Sequence, residues 1–117
     1  MSADRLLGIL KVARFQPFLH EADLHRAIMK LCADSGIPFQ HEVRIPGVGR
    51  IDFIVERTGI ECKIGRFVDR PRALAQLQRY LSCGQFDRVI LVAEGSLREA
   101  PEGIEFVSLN RNWGITT

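Results

Sequence analysis

Apolar residues recur at helical spacing in the first third of the chain and then change to alternating or unbroken runs, so the pattern predicts helices first and strands after. Leu6, Leu7, Leu10 and Ala13 mark a short amphipathic helix over residues 3–14, weakened by Gly8 and broken at Gln16-Pro17. A stronger helix follows over about 20–34, with Leu24, Ala27, Ile28 and Leu31 on one stripe and Ser35-Gly36 as its stop. The period then shortens. Strands are predicted over 39–45, 51–56 and 60–64, separated by Pro46-Gly47 with Gly49 and by a tight Arg57-Thr58-Gly59 connection, which makes a meander. Asp69 is placed to cap a helix that carries Pro71 in its first turn and runs to about residue 82, with Leu74, Leu77 and Leu81 facing the core and Gly84 beyond the end. The run Val89-Ile90-Leu91-Val92-Ala93 within 88–93 reads as a strand covered on both faces, and a last strand is expected over 103–109. Residues 111–117 read as a frayed end. The order α, α, β, β, β, α, β, β is that of an α/β protein with an extra N-terminal helix.

Length allows one such unit: 117 residues hold a single domain with a modest core, expected over about 20–109, with 1–16 as the N-terminal helix segment and 110–117 as a tail. The hydrophobic share of 46% and charged share of 26% are ordinary for a globular chain and exclude a disordered one. No apolar run reaches the roughly 20 residues a membrane helix needs, and the N-terminus lacks a signal-peptide pattern, so the expectation is a cytoplasmic protein with no membrane partner. Cys32, Cys62 and Cys83 are odd in number and far apart, which reads as reduced thiols rather than a disulfide or zinc framework.

The net charge of +2 says little, but its distribution is uneven. Residues 63–88 carry Lys63, Arg66, Arg70, Arg72, Arg79 and Arg88 against Asp69 and Asp87, whereas 89–117 carry Arg98 and Arg111 against Glu94, Glu99, Glu102 and Glu105. A basic centre suits a polyanion; it is equally the look of a solvated helix face.

The chemistry-bearing stretch is Gly49-Arg50-Ile51-Asp52-Phe53-Ile54-Val55 followed by Gly59-Ile60-Glu61-Cys62-Lys63. Alternation along a strand sends Glu61 and Lys63 to one face and Ile60, Cys62 and Ile64 to the other. A two-residue turn at Arg57-Thr58 would set Asp52 opposite Lys63 and Ile54 opposite Glu61 and bring all three charges to one face, whereas a three-residue turn ending at Gly59 would break that parity unless a bulge restored it. Unpaired charge in a central strand costs several kcal/mol, on the order expected for a desolvated ion, so something must compensate it. Two carboxylates with a backbone carbonyl and waters form the hard oxygen cage that Mg²⁺ prefers. The competing reading is an ion pair in which Lys63 bridges Asp52 and Glu61. Around this centre, Gln76 and Tyr80 share a stripe at i, i+4 on the third helix, and Glu21 opens the second helix on the stripe of Leu24 and Ile28. The glutamate suits either a helix-dipole role or a metal.

Together these residues resemble the PD-(D/E)xK nuclease superfamily: Glu21 on a leading helix, Arg50-Ile51-Asp52 on a strand, Glu61-Cys62-Lys63 on the next, and Gln76-Leu77-Gln78-Arg79-Tyr80 on the following helix, the last similar to the Gln-x-x-x-Tyr motif of RecB-like nucleases. The likeness spans about residues 20–93. Ile51 stands where the superfamily name has proline. The resemblance implies a restriction-endonuclease-like αβββαβ core with a mixed central sheet flanked by helices. It implies Asp52, Glu61 and the Cys62 carbonyl as ligands of Mg²⁺, for which Mn²⁺ can substitute, with Glu21 supporting the metal directly or through water. Lys63 would be the catalytic lysine, and Gln76 and Tyr80 would position the site or the strand being cut.

The expected reaction is endonucleolytic hydrolysis of DNA by a metal-activated water, with Arg66, Arg70, Arg72 and Arg79 as backbone contacts and Arg44 and Arg50 as weaker ones. A Holliday-junction resolvase of the same fold is the nearest alternative, and a non-catalytic nucleic-acid-binding module the alternative from another class. So short a chain has a limited footprint, which leaves a homodimer open, through the exposed side of the first helix or the C-terminal strand. His20, His25 and His41 could be metal ligands or general bases, and His25 follows Glu21 by one helical turn and so could approach the site, although a satisfied or exposed histidine is the commoner outcome.

Overall fold

The computed structural model describes residues 1–15, 20–65, 70–95 and 99–111, with Arg70, Asn110 and Arg111 described by backbone alone. Three helices and a five-stranded mixed sheet form three layers. Helix α1 is Ser2–Val12, strand β1 Arg14–Phe15, α2 Glu21–Asp34, β2 Gln40–Ile45, β3 Gly49–Val55, β4 Thr58–Lys63, α3 Arg70–Ser82, β5 Arg88–Ala93, β6 Ile104–Ser108 and β7 Asn110–Arg111. The sheet runs β2-β3-β4-β5-β6. The meander β2, β3, β4 is antiparallel, and β4, β5 and β6 are parallel, with α3 as the crossover between β4 and β5. Parallel neighbours need such a crossover because their ends lie at opposite ends of the sheet.

Each face of the sheet has its own core. Leu6 and Leu10 of α1 and Leu24, Ile28 and Cys32 of α2 pack on Phe53, Val55, Ile60, Cys62, Ile90 and Val92. Leu77 and Tyr80 of α3 pack with Phe86 on Ile51, Ile54, Val89, Leu91 and Ala93 on the other side. Burial from both sides explains why β5 reads as an unbroken apolar run.

Three expectations need correction. The turn between β3 and β4 is Glu56-Arg57, one residue earlier than Arg57-Thr58, because Val55 pairs with Thr58 and Phe53 with Ile60. Thr58 is drawn into the strand: it is buried, and its hydroxyl accepts from Arg88 Nε at 3.2 Å. Glu56 takes the left-handed conformation, φ 56°, that the short turn requires. The register therefore differs by two from the expected one, and Lys63 is not the residue set beside Asp52: the Asp52 N–H donates to the Glu61 carboxylate. Second, the expected tail from residue 110 begins as strand: β7 pairs in parallel with β1, a small second sheet that two-residue segments cannot announce in the sequence. Third, the buried face of α3 is Ala73, Leu77 and Tyr80, with Leu74 and Leu81 only at its margin. Asp69, Pro17 and 112–117 lie outside the described residues.

Gly59 is a packing glycine and not a turn glycine. A Cβ there would lie 2.4 Å from Ile51 Cδ1 and 3.6 Å from the Phe86 ring. Since Ile51 is fully buried, Gly59→Ala is expected to destabilise the fold by ~1–3 kcal/mol, read as a lower urea midpoint with unchanged slope.

Candidate metal and phosphodiester site

Strands β3 and β4 separate beyond the Phe53 and Ile60 pair, and the backbone donors left behind are taken by carboxylates. The Asp52 N–H donates to Glu61 Oε1 at 3.0 Å, and the Cys62 N–H donates to Asp52 Oδ2 at 2.8 Å. Two residues further, just past the end of β4, the Ile64 N–H donates to Glu21 Oε1 at 3.3 Å. Cys62 and Ile64 present their amides to the same edge of β4, as residues two apart do. So Asp52 and Glu21 line the edge from which β3 has parted. The Cys62 carbonyl projects from that edge too, because a strand residue offers its N–H and C=O to the same neighbour.

The three charged residues do not share one face as expected. Ile51 and Ile54 belong to the α3-side core, whereas Phe53 and Val55 belong to the α1/α2-side core, so β3 loses its simple alternation at Asp52. The irregularity has a counterpart in β2, where Glu42, between the His41↔Phe53 and Val43↔Ile51 pairs, has φ 54°. The Asp52 carboxylate consequently turns toward α2, with Oδ2 3.5 Å from His25 Nε2. Glu61 and Lys63 remain on the α3 side, where they line a groove of about 220 Å³ with Arg72, Ala73, Gln76, Leu77 and Leu91. The two carboxylates are linked across the parted strands by their crossed bonds to the Asp52 and Cys62 amides.

Each of them commits one oxygen to a backbone N–H. No hydrogen bond among the described residues claims the other, Asp52 Oδ1 or Glu61 Oε2. Lys63 is also uncommitted: no carboxylate of the described residues lies within 4.0 Å of its ammonium. The bridging ion pair is thus not formed. Burial, reinforced by the negative charge of Asp52, pushes the Glu61 carboxyl up to about 8, against the opposing pull of Lys63 and of the Asp52 N–H. Cys62 is driven well upward by burial and by the same carboxylates, so its sulfur stays a thiol and the backbone carbonyl is its contribution to the gap.

Gln76 and Tyr80 come together, but with each other. Gln76 Nε2 donates to the Tyr80 hydroxyl at 3.2 Å, and Gln76 Oε1 accepts from Arg79 at 2.9 Å. Tyr80 is fully buried and burial raises its phenol. The pair also seats the β2–β3 hairpin: a Cβ on Gly49 would stand 3.1 Å from Gln76 Nε2 and 3.2 Å from the Tyr80 oxygen. Gln76 reaches the groove; Tyr80 braces it from within. Of the other cations, Arg72 lines the groove, Arg50 pairs with Glu42 at 3.5 Å, and Arg44 is exposed. The Arg70 side chain and Arg66 lie outside the described residues.

Two neighbours of the site carried no clear signal in the sequence. Glu94, at the end of β5, accepts from the Gly65 N–H at 3.0 Å and so ties down the chain after Lys63. His41 faces His25 across the α1/α2 side of the sheet, Nε2 to Nδ1 at 2.8 Å. His25 was marked by its i, i+4 relation to Glu21, while nothing in the local pattern around His41 distinguished it. Among the described residues, ligand-type side-chain atoms crowd within 4.8 Å in His25, Asp52 and Cys62 and in His25, His41 and Glu42. Comparisons with protein-family models, curated proteins and solved structures give no match, so the site stands on its own geometry.

Proposed function

We propose that this chain is a Mg²⁺-dependent deoxyribonuclease of the PD-(D/E)xK superfamily, with a restriction-endonuclease-like core, acting on DNA as a cytoplasmic phosphodiesterase. The observation that carries the reading is the parted strand pair, in which Asp52 and Glu61 each hold the other strand's amide and, among the described residues, keep one oxygen uncommitted beside a Lys63 that pairs with no described carboxylate. This donor set suits a hard divalent cation: two carboxylates bonded across the parted strands and the Cys62 backbone carbonyl are all oxygen donors, and a cation would offset the burial and the Asp52 charge that together raise the Glu61 carboxyl. A bound Mg²⁺, or Mn²⁺ in its place, would supply charge neutralisation at the phosphate and acidify a water held beside it.

The remaining work falls to the chain's own groups. Lys63 projects into the groove next to Glu61 and there orients the attacking water or meets the charge that develops on the phosphoryl oxygens. Arg72 offers the groove a guanidinium for a neighbouring phosphate. Gln76 accepts from Arg79, and the Glu21 and Glu94 contacts hold the backbone at residues 64 and 65, so that Lys63 is presented from a fixed strand end.

The test is cleavage of linear duplex, branched and single-stranded DNA, and of RNA, with Mg²⁺ or chelator. Wild type should cut DNA only with metal, while Lys63→Ala and Glu61→Ala should lose ~10²–10⁴-fold in rate. Absence of metal-dependent cutting of every substrate by wild type would refute the reading in favour of a non-catalytic binding module. Preference for four-way junctions by a dimeric species in sedimentation would specify a resolvase. Arg72→Ala is expected to weaken DNA binding evenly across sequences and to reduce the slope of log affinity against log salt by about one.

A further inference from the structure

From the approach of His25 on α2 to His41 on the edge strand β2, we infer that His25, His41 and Glu42 form a second metal site, for a borderline divalent transition metal such as Zn²⁺ or Co²⁺. It is separate from the Asp52 and Glu61 pair and does not depend on the nuclease reading. His25 Nδ1 and His41 Nε2 face each other at 2.8 Å, and His41 Nε2 lies 3.6 Å from Glu42 Oε1. All three ligand-type atoms lie within 4.8 Å of one another. Two imidazoles and a carboxylate are nitrogen-rich donors, which favour Zn²⁺, Co²⁺ or Ni²⁺ over the Mg²⁺ suited to an all-oxygen cage.

The backbone is shaped for this convergence. His41 and Glu42 are neighbours on β2, and regular strand geometry would send their side chains to opposite faces. The left-handed conformation of Glu42, φ 54°, an uncommon conformation for a residue with a Cβ, instead lets its carboxylate approach the imidazole of His41. The His41 ring is fixed from behind by Phe53, with centroids 4.8 Å apart, and Phe53 also packs against His25 at 5.2 Å. Glu42 uses its other oxygen, Oε2, on Arg50, which leaves Oε1 turned to the histidines. Donor atoms bound to one tetrahedral zinc at ~2.0–2.1 Å stand roughly 3.3 Å apart, so the imidazoles need open by only about half an ångström. The half-exposed side of Glu42 provides the way in.

His25 makes the site consequential. Its Nε2 is buried without a hydrogen-bond partner among the described residues and lies 3.5 Å from Asp52 Oδ2. Metal on Nδ1 obliges the proton to sit on Nε2, where it faces the Asp52 carboxylate as a donor. Filling the edge site therefore ties His25 to Asp52.

The experiment is titration of metal-free protein with Co²⁺, followed by its visible ligand-field absorption, and with Zn²⁺ by calorimetry. Glu61→Gln serves as a background in which the oxygen pair is disabled. His41→Phe keeps a ring against Phe53 while removing the ligand nitrogen, and Glu42→Gln and the exposed His20→Ala complete the set. On the Glu61→Gln background one equivalent should bind with the nitrogen-ligated Co²⁺ spectrum that wild type also shows; that binding should weaken at least tenfold when His41→Phe or Glu42→Gln is added, and should not change with His20→Ala. Unchanged affinity in His41→Phe overturns the inference, as does binding that is lost in Glu61→Gln yet kept in His41→Phe, or no binding to wild type. Failure of DNA cleavage leaves these readouts untouched, so the two proposals fail separately.

Discussion

Glu61→Gln should abolish metal-dependent cleavage and at the same time make the metal-free protein more stable at alkaline pH. The amide keeps an oxygen for the Asp52 N–H, so the hydrogen bond that holds the strands at their parting survives. What disappears is a buried negative charge beside Asp52. A carboxyl held up to about 8 in the folded chain keeps a proton that the unfolded chain has already released above the ordinary 4.5. Stability of the metal-free protein therefore falls as pH rises through that interval, and the full penalty is present above it. Removing the charge should recover on the order of 2–5 kcal/mol above pH ~8.5 and nothing below about pH 4. Saturating Mg²⁺ should reverse the ranking, because it stabilises only the chain that binds it. Urea denaturation at two pH values, with and without Mg²⁺, reads all of this. A variant less stable than wild type at alkaline pH would show that Glu61 is a structural anchor.

Asp52→Asn is the second large effect. Asparagine can still accept from the Cys62 N–H, so the local fold should persist with a cost of about 1 kcal/mol or less. The uncommitted oxygen, however, is no longer part of an anion. Cleavage should fall by ~10³-fold or more, and higher Mg²⁺ should restore only part of it, because both metal affinity and charge placement are impaired. Circular dichroism and single-turnover cleavage over a Mg²⁺ series separate this from misfolding. Full activity in Asp52→Asn would remove that residue from the site.

The element order was legible because each helix and each long strand buries a face whose period survives in sequence: Leu24 and Ile28 on α2, Leu77 on α3, and the doubly covered run of β5. The position of the β3–β4 turn was not. Gly59 looked like a turn residue, yet it is glycine because Ile51 leaves no room for a side chain, a tertiary fact that local propensity does not encode. The same holds for the single face expected of Asp52, Glu61 and Lys63, which assumes regular alternation that β3 abandons at Asp52. Gln76 and Tyr80 were legible as a pair by spacing, but only packing showed that they bond to each other and to Arg79 and brace Gly49. His41 could be named as a candidate but not placed, because its partner lies on another element, 16 residues away.

The central claim is that Asp52 and Glu61 jointly hold a divalent cation, and binding of Mn²⁺ followed by electron paramagnetic resonance tests it most directly. Wild type, His41→Phe and Lys63→Ala should each bind Mn²⁺ in competition with Mg²⁺, while Asp52→Asn and Glu61→Gln should each lose affinity by at least tenfold and their double variant should show no specific binding. Mn²⁺ affinity that is unchanged when both carboxylates are replaced would contradict the account.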